Sequence, residues 1–374
     1  MRPTGRTPAA QWIHTALAAV VAAALAVTVL PAQDDLDKIR QAAEQGDAAA
    51  QVKLGDKYYL GEGVPEDNAE AMRWYRLAAE QGYADAQFRL GGMYLFGHGV
   101  REDGAEAERW YRLAAKQDHA RALLYLGVMY SEGRGVRKDD AEAARWYRLA
   151  AELGDDVAQF NLGFVYANGE GVLQDDAEAV RWYRMAAEQG HSSAQYNLGI
   201  MYYTGKGVQK DHAEAVRLYR LAAEQGDVGA QFDLGFMYSN GEGVQKDEAE
   251  ATRWYRRAAE QGDAGAQFDL GVNYANGEGV DKDDAEAVRW YRMAAKQGEA
   301  RAQLNLGVMY YFGRGVRNDP VSAHMWFIIA DANGNEDAGN NRAALERDMS
   351  RAQIRRATKL AQACMDSDYK DCER

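Results

Sequence analysis

Cysteine is nearly absent from this 374-residue chain: only Cys364 and Cys372 occur, both close to the C-terminus. That excludes a disulfide framework through the body of the protein. Histidine is scarce as well. None of His14, His98, His119, His191, His212 and His324 lies three or four residues from another, so no helical metal pair exists. His119 and His191 fall just before helical segments, where they read as N-terminal turn residues. Serines are few, and none sits in a Gly-x-Ser-x-Gly elbow. The Gly-x-Gly pairs follow no strand and read as turns, not nucleotide loops. Asp-rich loops such as 281–284 lack EF-hand spacing. No catalytic constellation emerges, so no catalytic residue, cofactor or metal site is expected, nor any small-molecule substrate.

Positive charge is in deficit: 44 Lys+Arg face 57 Asp+Glu, a formal −13. Arg2 and Arg6 are the only charges in residues 1–32, so without that stretch the balance would be −15. Such a surface repels phosphate backbones and anionic headgroups, which argues against a nucleic-acid partner. Beyond residue 30 no stretch is apolar enough to span a bilayer. The N-terminus itself reads as an export signal over 1–32. Arg2 and Arg6 form the n-region, Ala16 to Leu30 is nearly all apolar, and Ala32 precedes a plausible cut at Gln33. The alternative is an uncleaved anchor, since Trp12 to Leu30 could nearly span; a membrane would then be met only through this leader. No Cys follows the run, and no Arg pair precedes it. The expected location is therefore periplasmic or secreted. Export would permit oxidation, and Cys364 and Cys372 are expected to pair, stapling the tail rather than the whole fold.

What the chain has in abundance is repetition. The stretch AQVKLGDKYYLGEGVPEDNAEAMRWYRLAAEQG, residues 50–82, returns every 36 residues without insertion. Gly55 recurs through Gly307, and Trp74 through Trp326 with one break at Leu218. A strict period of this length marks a solenoid, which need not split into separate domains despite the length.

Each unit predicts two helices. Helix A runs over Ala48–Leu60, with Ala50, Leu54 and Tyr58 on one stripe. Gly55 inside it costs about 1 kcal/mol against Ala, so its recurrence predicts close packing. The Gly-Glu-Gly-Val segment 61–64 ends the helix. Asp67 and Glu70 have capping-box spacing before helix B, about Asn68–Gln81. These paired acids therefore read as caps rather than as catalytic carboxylates. Ala71, Tyr75 and Ala78 face inward beside Trp74; Glu70, Arg73, Arg76 and Glu80 form a solvated, ion-paired arc. The Trp and Tyr columns read as core, not as an aromatic cage.

These columns resemble the Sel1-like repeat, a relative of the tetratricopeptide repeat. The matching residues are Ala50-Gln51, Leu54-Gly55, Tyr58, Gly61-x-Gly63-Val64, Asp67, Ala71, Trp74-Tyr75, Ala78-Ala79 and Gly82. The resemblance implies an all-α, right-handed α–α superhelix of eight helix-turn-helix units over 47–334, with helices A on the concave face. It also implies adaptor or scaffold roles in bacterial envelope or host-interaction settings. Some relatives are cysteine-rich, with a disulfide in each repeat; this chain has none there, and what belongs to that subgroup does not carry over.

The ends depart from the period. Residues 33–46 read as a capping helix equivalent to a lone helix B. In the eighth unit Ser322, Met325, Ile328 and Ile329 replace Glu70, Arg73, Arg76 and Leu77, so an outer arc has turned apolar. The C-terminal segment 335–374 supplies two helices, about Glu336–Asp348 and Arg351–Cys364. The stripe Ile354, Ala357, Ala361, Cys364 is suited to cover that arc, and Ser350 with Gln353 forms a second capping box.

Function is sought where the repeat does not fix the residue. On the geometry the resemblance implies, positions 49, 53 and 60 of helix A approach the concave side. Position 53 becomes Asn161, Asn197, Asp233, Asp269 and Asn305 in the later units, and position 60 becomes Asn240 and Asn276, with Tyr196, Tyr203 and Asn273 nearby. Amide side chains both donate and accept, which suits an extended peptide backbone. The expected function is an exported adaptor that binds a protein or peptide there. Two rivals are an enzyme acting on cell-wall material or β-lactams, thinkable from cysteine-rich relatives, and a passive structural spacer.

Overall fold

The computed structural model describes residues 33–369 and Cys372; the leader reading of 1–32 lies outside the described residues. Among these the structure is all-helical, with nineteen helices. A first helix, α1 (Gln33–Glu44), precedes the array. Eight A/B pairs follow: α2 (Ala48–Leu60) with α3 (Asn68–Glu80), α4 (Ala84–Phe96) with α5 (Gly104–Ala115), α6 (Ala120–Glu132) with α7 (Asp140–Glu152), and α8 (Asp156–Asn168) with α9 (Asp176–Glu188). Then come α10 (Ser192–Thr204) with α11 (His212–Glu224), α12 (Val228–Asn240) with α13 (Glu248–Glu260), α14 (Ala264–Asn276) with α15 (Asp284–Ala295), and α16 (Ala300–Phe312) with α17 (Pro320–Ala332). Two more, α18 (Glu336–Glu346) and α19 (Arg351–Asp366), close the chain. The chain forms two compact units, one up to Ala122 and one from Leu123.

The repeating glycine in helix A is explained by one contact. A Cβ on Gly271 would lie 2.7 Å from two carbons of the Tyr291 ring; six other units show the same clash with their own tyrosine, and in the eighth Gly307 meets the Phe327 ring instead. Helices A and B thus approach closely enough for the tyrosine ring to lie on bare backbone. The turn glycines answer a second demand. Gly205 ends α10 in the left-handed region at φ 75°. Gly207 also has positive φ, and a Cβ there would fall 2.1 Å from the Asp176 carbonyl oxygen of the preceding B helix.

In the first unit, Leu36 and Ala43 of α1 cap the array by packing with Ala50, Leu54 and Trp74. Inside the second unit, successive pairs share apolar clusters; Ala215, Tyr219 and Ala222 pack with Leu234, Met237 and Trp254. Buried glutamines tie neighbours together. Gln267 donates to the Ala259 carbonyl of the previous B helix at 3.1 Å and accepts from Gln297 at 2.8 Å. In the third pair both positions change together, to Leu123 and Leu153, so neither amide is left without its mate. The Trp column is buried core, as with Trp254 and Trp326.

One sequence expectation is corrected. Asp67 does cap helix B, accepting from Ala69 and Glu70 backbone N–H groups. The reciprocal half of the box does not form: Glu70 turns outward to Arg73, and the Asp67 N–H donates to the Tyr58 carbonyl at 2.8 Å. The returning chain supplies that acceptor in every unit, leaving the glutamate free to pair along its own helix. Ser350 and Gln353, where no such turn precedes, do form both halves.

At the C-terminal end, Ala361, Cys364 and Cys372 pack with Met325, Trp326 and Ile329 of α17. The apolar arc is covered by α19, and Cys364 and Cys372 form a disulfide. Asn333 stands where earlier units have Gln297. It donates to Gln303 at 2.9 Å and accepts from the Tyr369 hydroxyl at 2.9 Å, which ties the tail to the array. Helix α18 ends two residues before its expected limit and α19 two residues after.

Candidate functional site

The A helices of the second unit carry the ladder residues on a rigid scaffold. Position 53 lies beside the buried Leu and Gly columns, one step toward solvent. Asn161, Asn197, Asp233, Asp269 and Asn305 are accordingly all half-buried. Two of them, Asn197 and Asn305, meet the tyrosine of the preceding B helix. Asn197 is a hydrogen-bond partner of the Tyr183 hydroxyl, and Asn305 of Tyr291, whose burial pushes it up to about 12. The ladder is therefore partly structural, because it receives the hydroxyls that the tyrosine column projects out of the core.

The two carboxylates differ. Asp233 accepts from the Tyr196 hydroxyl at 3.1 Å. Asp269 is desolvated, which pushes its carboxyl up to about 6; the Arg301 charge opposes this. Tyr196 rests on Tyr219 with centroids 5.7 Å apart, and Tyr203 stacks on His212 at 4.8 Å.

Three of the expected residues are placed differently from a simple surface ladder. Asn273 is buried, 5% exposed, and donates to the Thr252 hydroxyl at 2.7 Å. It stands in the column of buried Met237 and Met309, so it is core and not a contact residue. Thr252 in turn donates to the Glu278 carbonyl, which satisfies the buried polar chain. Asn240 is exposed, but its amide donates back to the Phe236 carbonyl of its own helix. Asn276 is exposed and donates to Glu278 in the following turn. Both sit at helix ends, where unpaired carbonyls and turns attract side-chain amides.

Sequence reading singled out Tyr196 and position 49 but missed the rest of the aromatic column at position 52, Phe160, Phe232 and Phe268, and its contacts with positions 47 and 49 of the next repeat. In the structure these meet across repeats. His191, from position 47, stacks on Phe160 at 4.8 Å, while Arg301, from position 49, lies 4.3 Å from the Phe268 centroid. Aligning neighbouring columns rather than single ones would have raised the signal. His191 and His119 also accept from backbone N–H groups at helix starts, as their position suggested.

Among the described residues no cluster of three or more His, Cys, Asp or Glu could hold a metal, and no helix is long and apolar enough to cross a membrane. The face offers amide donors and acceptors, aromatic rings and two carboxylates held on rigid helices. That is the chemistry of recognition of polar, cationic or peptide groups.

The Sel1 repeat family model matches eight consecutive stretches: 48–83, 84–119, 120–155, 156–191, 192–227, 228–263, 264–299 and 300–335. Among solved structures, a Sel1 repeat protein from Oxalobacter formigenes is similar at 34% identity. The match covers 86% of this chain and 98% of that one, with a TM-score of 0.64. The protein c5321, a protective antigen present in uropathogenic Escherichia coli strains displaying an SLR fold, is 32% identical. There the match covers 89% and 96% of the two chains, with a TM-score of 0.56. No curated protein matches the chain.

Proposed function

This chain belongs to the Sel1 repeat family, and on that premise we propose that it is an exported adaptor that binds an extended protein segment along its A-helix face. Proteins built from Sel1-like and tetratricopeptide-like repeats generally mediate protein–protein interaction, and Sel1 scaffolds are typically non-catalytic. The observation that carries the reading is the ladder itself. Around it the core columns barely change, while position 53 varies and stays half-buried at every later unit. A repeated spacing of polar groups on stiff helices can pair with an extended chain without first ordering itself. Export is supported by the leader pattern of 1–32 and by the Cys364–Cys372 bond, which suits an oxidising compartment.

The test is affinity capture from envelope and culture fractions of the native host. The wild type is compared with a variant carrying Asn197, Asp233, Asn240, Asp269 and Asn276 all changed to Ala. Circular dichroism must first show the variant folded, because Asn197 and Asp233 also serve tyrosine hydroxyls. Partner recovery should fall at least about tenfold, a loss of some 1.4 kcal/mol or more. Equal recovery by the folded variant removes the ladder from the function.

A further inference from the structure

The turn that ends the eighth A helix departs from its counterparts. Tyr311, Phe312, Arg314 and Arg317 stand where the seventh repeat has Ala275, Asn276, Glu278 and Asp281. Two acids have become arginines, and a small residue and an amide have become aromatic rings. The third repeat shares the arginines, as Arg134 and Arg137, but has Ser131 and Glu132 in place of the rings. Rings and cations coincide at the eighth turn.

Both rings face solvent. Phe312 is 60% exposed and Tyr311 39%, and they lie edge to face with centroids 4.8 Å apart. The Arg314 guanidinium carbon lies 5.3 Å from the Phe312 centroid. Arg314 and Arg317 are exposed, and neither has a carboxylate in ion-pairing reach among the described residues. The B-helix arginines differ, as Arg289 does in pairing with Glu286 at 3.0 Å. The turn is also fixed in place. Gly315 has positive φ, and a Cβ there would fall 2.0 Å from the Asp284 carbonyl oxygen, so its backbone lies directly on the start of α15. The Arg314 N–H donates to the Met309 carbonyl and the Asp319 N–H to that of Tyr310, both at 3.0 Å. Two unpaired cations and two exposed rings are thus held ready on a rigid backbone, which lowers the ordering cost of binding.

We propose that this turn seats an acidic stretch of the bound partner segment, with an apolar side chain on Phe312 and Tyr311 and flanking carboxylates on Arg314 and Arg317. This rests on the adaptor reading and specifies one end of its partner. Phe312 occupies position 60, the column of Asn240 and Asn276, so the seat continues the same face to its last repeat. Charge complementarity selects the occupant: a chain of −13 repels an acidic segment elsewhere and offers it two free cations here. An anionic membrane would meet the same side chains, but it would have to approach that net charge with only two rings to insert.

The test needs no partner. The protein is labelled with fluorophenylalanine, the Phe312 fluorine resonance is assigned through Phe312→Leu, and N-acetyl-Glu-Phe-Glu-amide is titrated. The resonance should move and saturate at about 1–10 mM, the weak range expected of a few exposed contacts. The Gln-Phe-Gln counterpart should bind at least fivefold more weakly. Arg314→Gln with Arg317→Gln should weaken the acidic peptide by a similar factor, as should about 0.5 M salt; both arginines are exposed, and the peptide comparison stands without any variant. No response at Phe312, an equal response to the glutamine peptide, or a response indifferent to the arginine changes overturns the seat. Phosphatidylglycerol vesicles that move the resonance where the acidic peptide does not would place a membrane there and overturn it too. Captured partner without a Phe312 response sinks the seat alone; a Phe312 response with no captured partner sinks the adaptor reading alone.

Discussion

Replacing Gly271 by alanine sets two effects against each other. Helix propensity favours the change: alanine in a helix interior is better than glycine by about 1 kcal/mol. Packing opposes it. The new methyl would lie 2.7 Å from two carbons of the Tyr291 ring and 3.3 Å from a third. Carbon–carbon contact is optimal near 3.5–4.0 Å, so the ring or the helix must retreat by roughly 1 Å. The ring cannot swing freely, because it is buried, 3% exposed, and its hydroxyl is partnered by Asn305. Overpacking of this kind costs typically about 1–3 kcal/mol. The net expectation is a loss of about 0–2 kcal/mol, centred near 1, concentrated in α14 and α15 because a solenoid distributes stability locally. Hydrogen exchange should show backbone amides of these two helices opening about fivefold faster, while α8 and α9 are unaffected. Adding Tyr291→Leu to Gly271→Ala should make the alanine favourable, since the obstruction is gone. Slower exchange in Gly271→Ala alone would mean that propensity dominates and that close approach is not why the glycine recurs.

Three further outcomes are expected. The Asp269 carboxyl is raised to about 6 from 3.8 by burial, so its ionised form is disfavoured in the folded state. The stability it confers is full below about 3.8 and lost as pH rises through 6. Relative to Asp269→Asn, the wild type should therefore gain stability as pH falls from 7 to 4, by up to about 3 kcal/mol before allowance for water access; denaturant titrations at several pH values measure it, and a flat difference refutes the burial argument. Asp247→Ala should cost about 1 kcal/mol, because the side chain accepts from Ala249 and Glu250 N–H groups, both at 3.0 Å. Glu250→Ala should stay within about 0.5 kcal/mol in thermal melts, since Glu250 only pairs with exposed Arg253; a loss equal to that of Asp247→Ala would restore the reciprocal box. Cys364→Ser with Cys372→Ser opens a short loop worth roughly 2–3 kcal/mol by chain entropy; mass-resolved exchange should quicken in α19 and leave α12 to α15 unchanged.

The array was legible because its physics is local and repeated. Gly55, Asp67, Trp74 and Tyr75 act within one unit or against the next, and a 36-residue copy number makes each such demand visible. The unmatched arc at Met325 and Ile329 disclosed the cap for the same reason: a departure from a period is itself a signal. The candidate site was less legible. Position alone could not tell Asn273, which is core, from Asn305, which is half-exposed. The difference lies in Thr252, twenty-one residues earlier, whose hydroxyl receives the buried amide.

Sequence by itself determined the fold class and the register of the units, since these follow from periodic burial and from caps and turns that adjoining residues complete. Tertiary structure alone decided which partner each polar group takes. The Asp67 N–H finds Tyr58 rather than Glu70, the ladder amides find tyrosine hydroxyls, and Arg301 finds Phe268 while Phe232 faces a glycine. Hydrogen bonds and ring contacts act over about 3–6 Å, and which groups come within that reach is set by how one helix pair lies on the next.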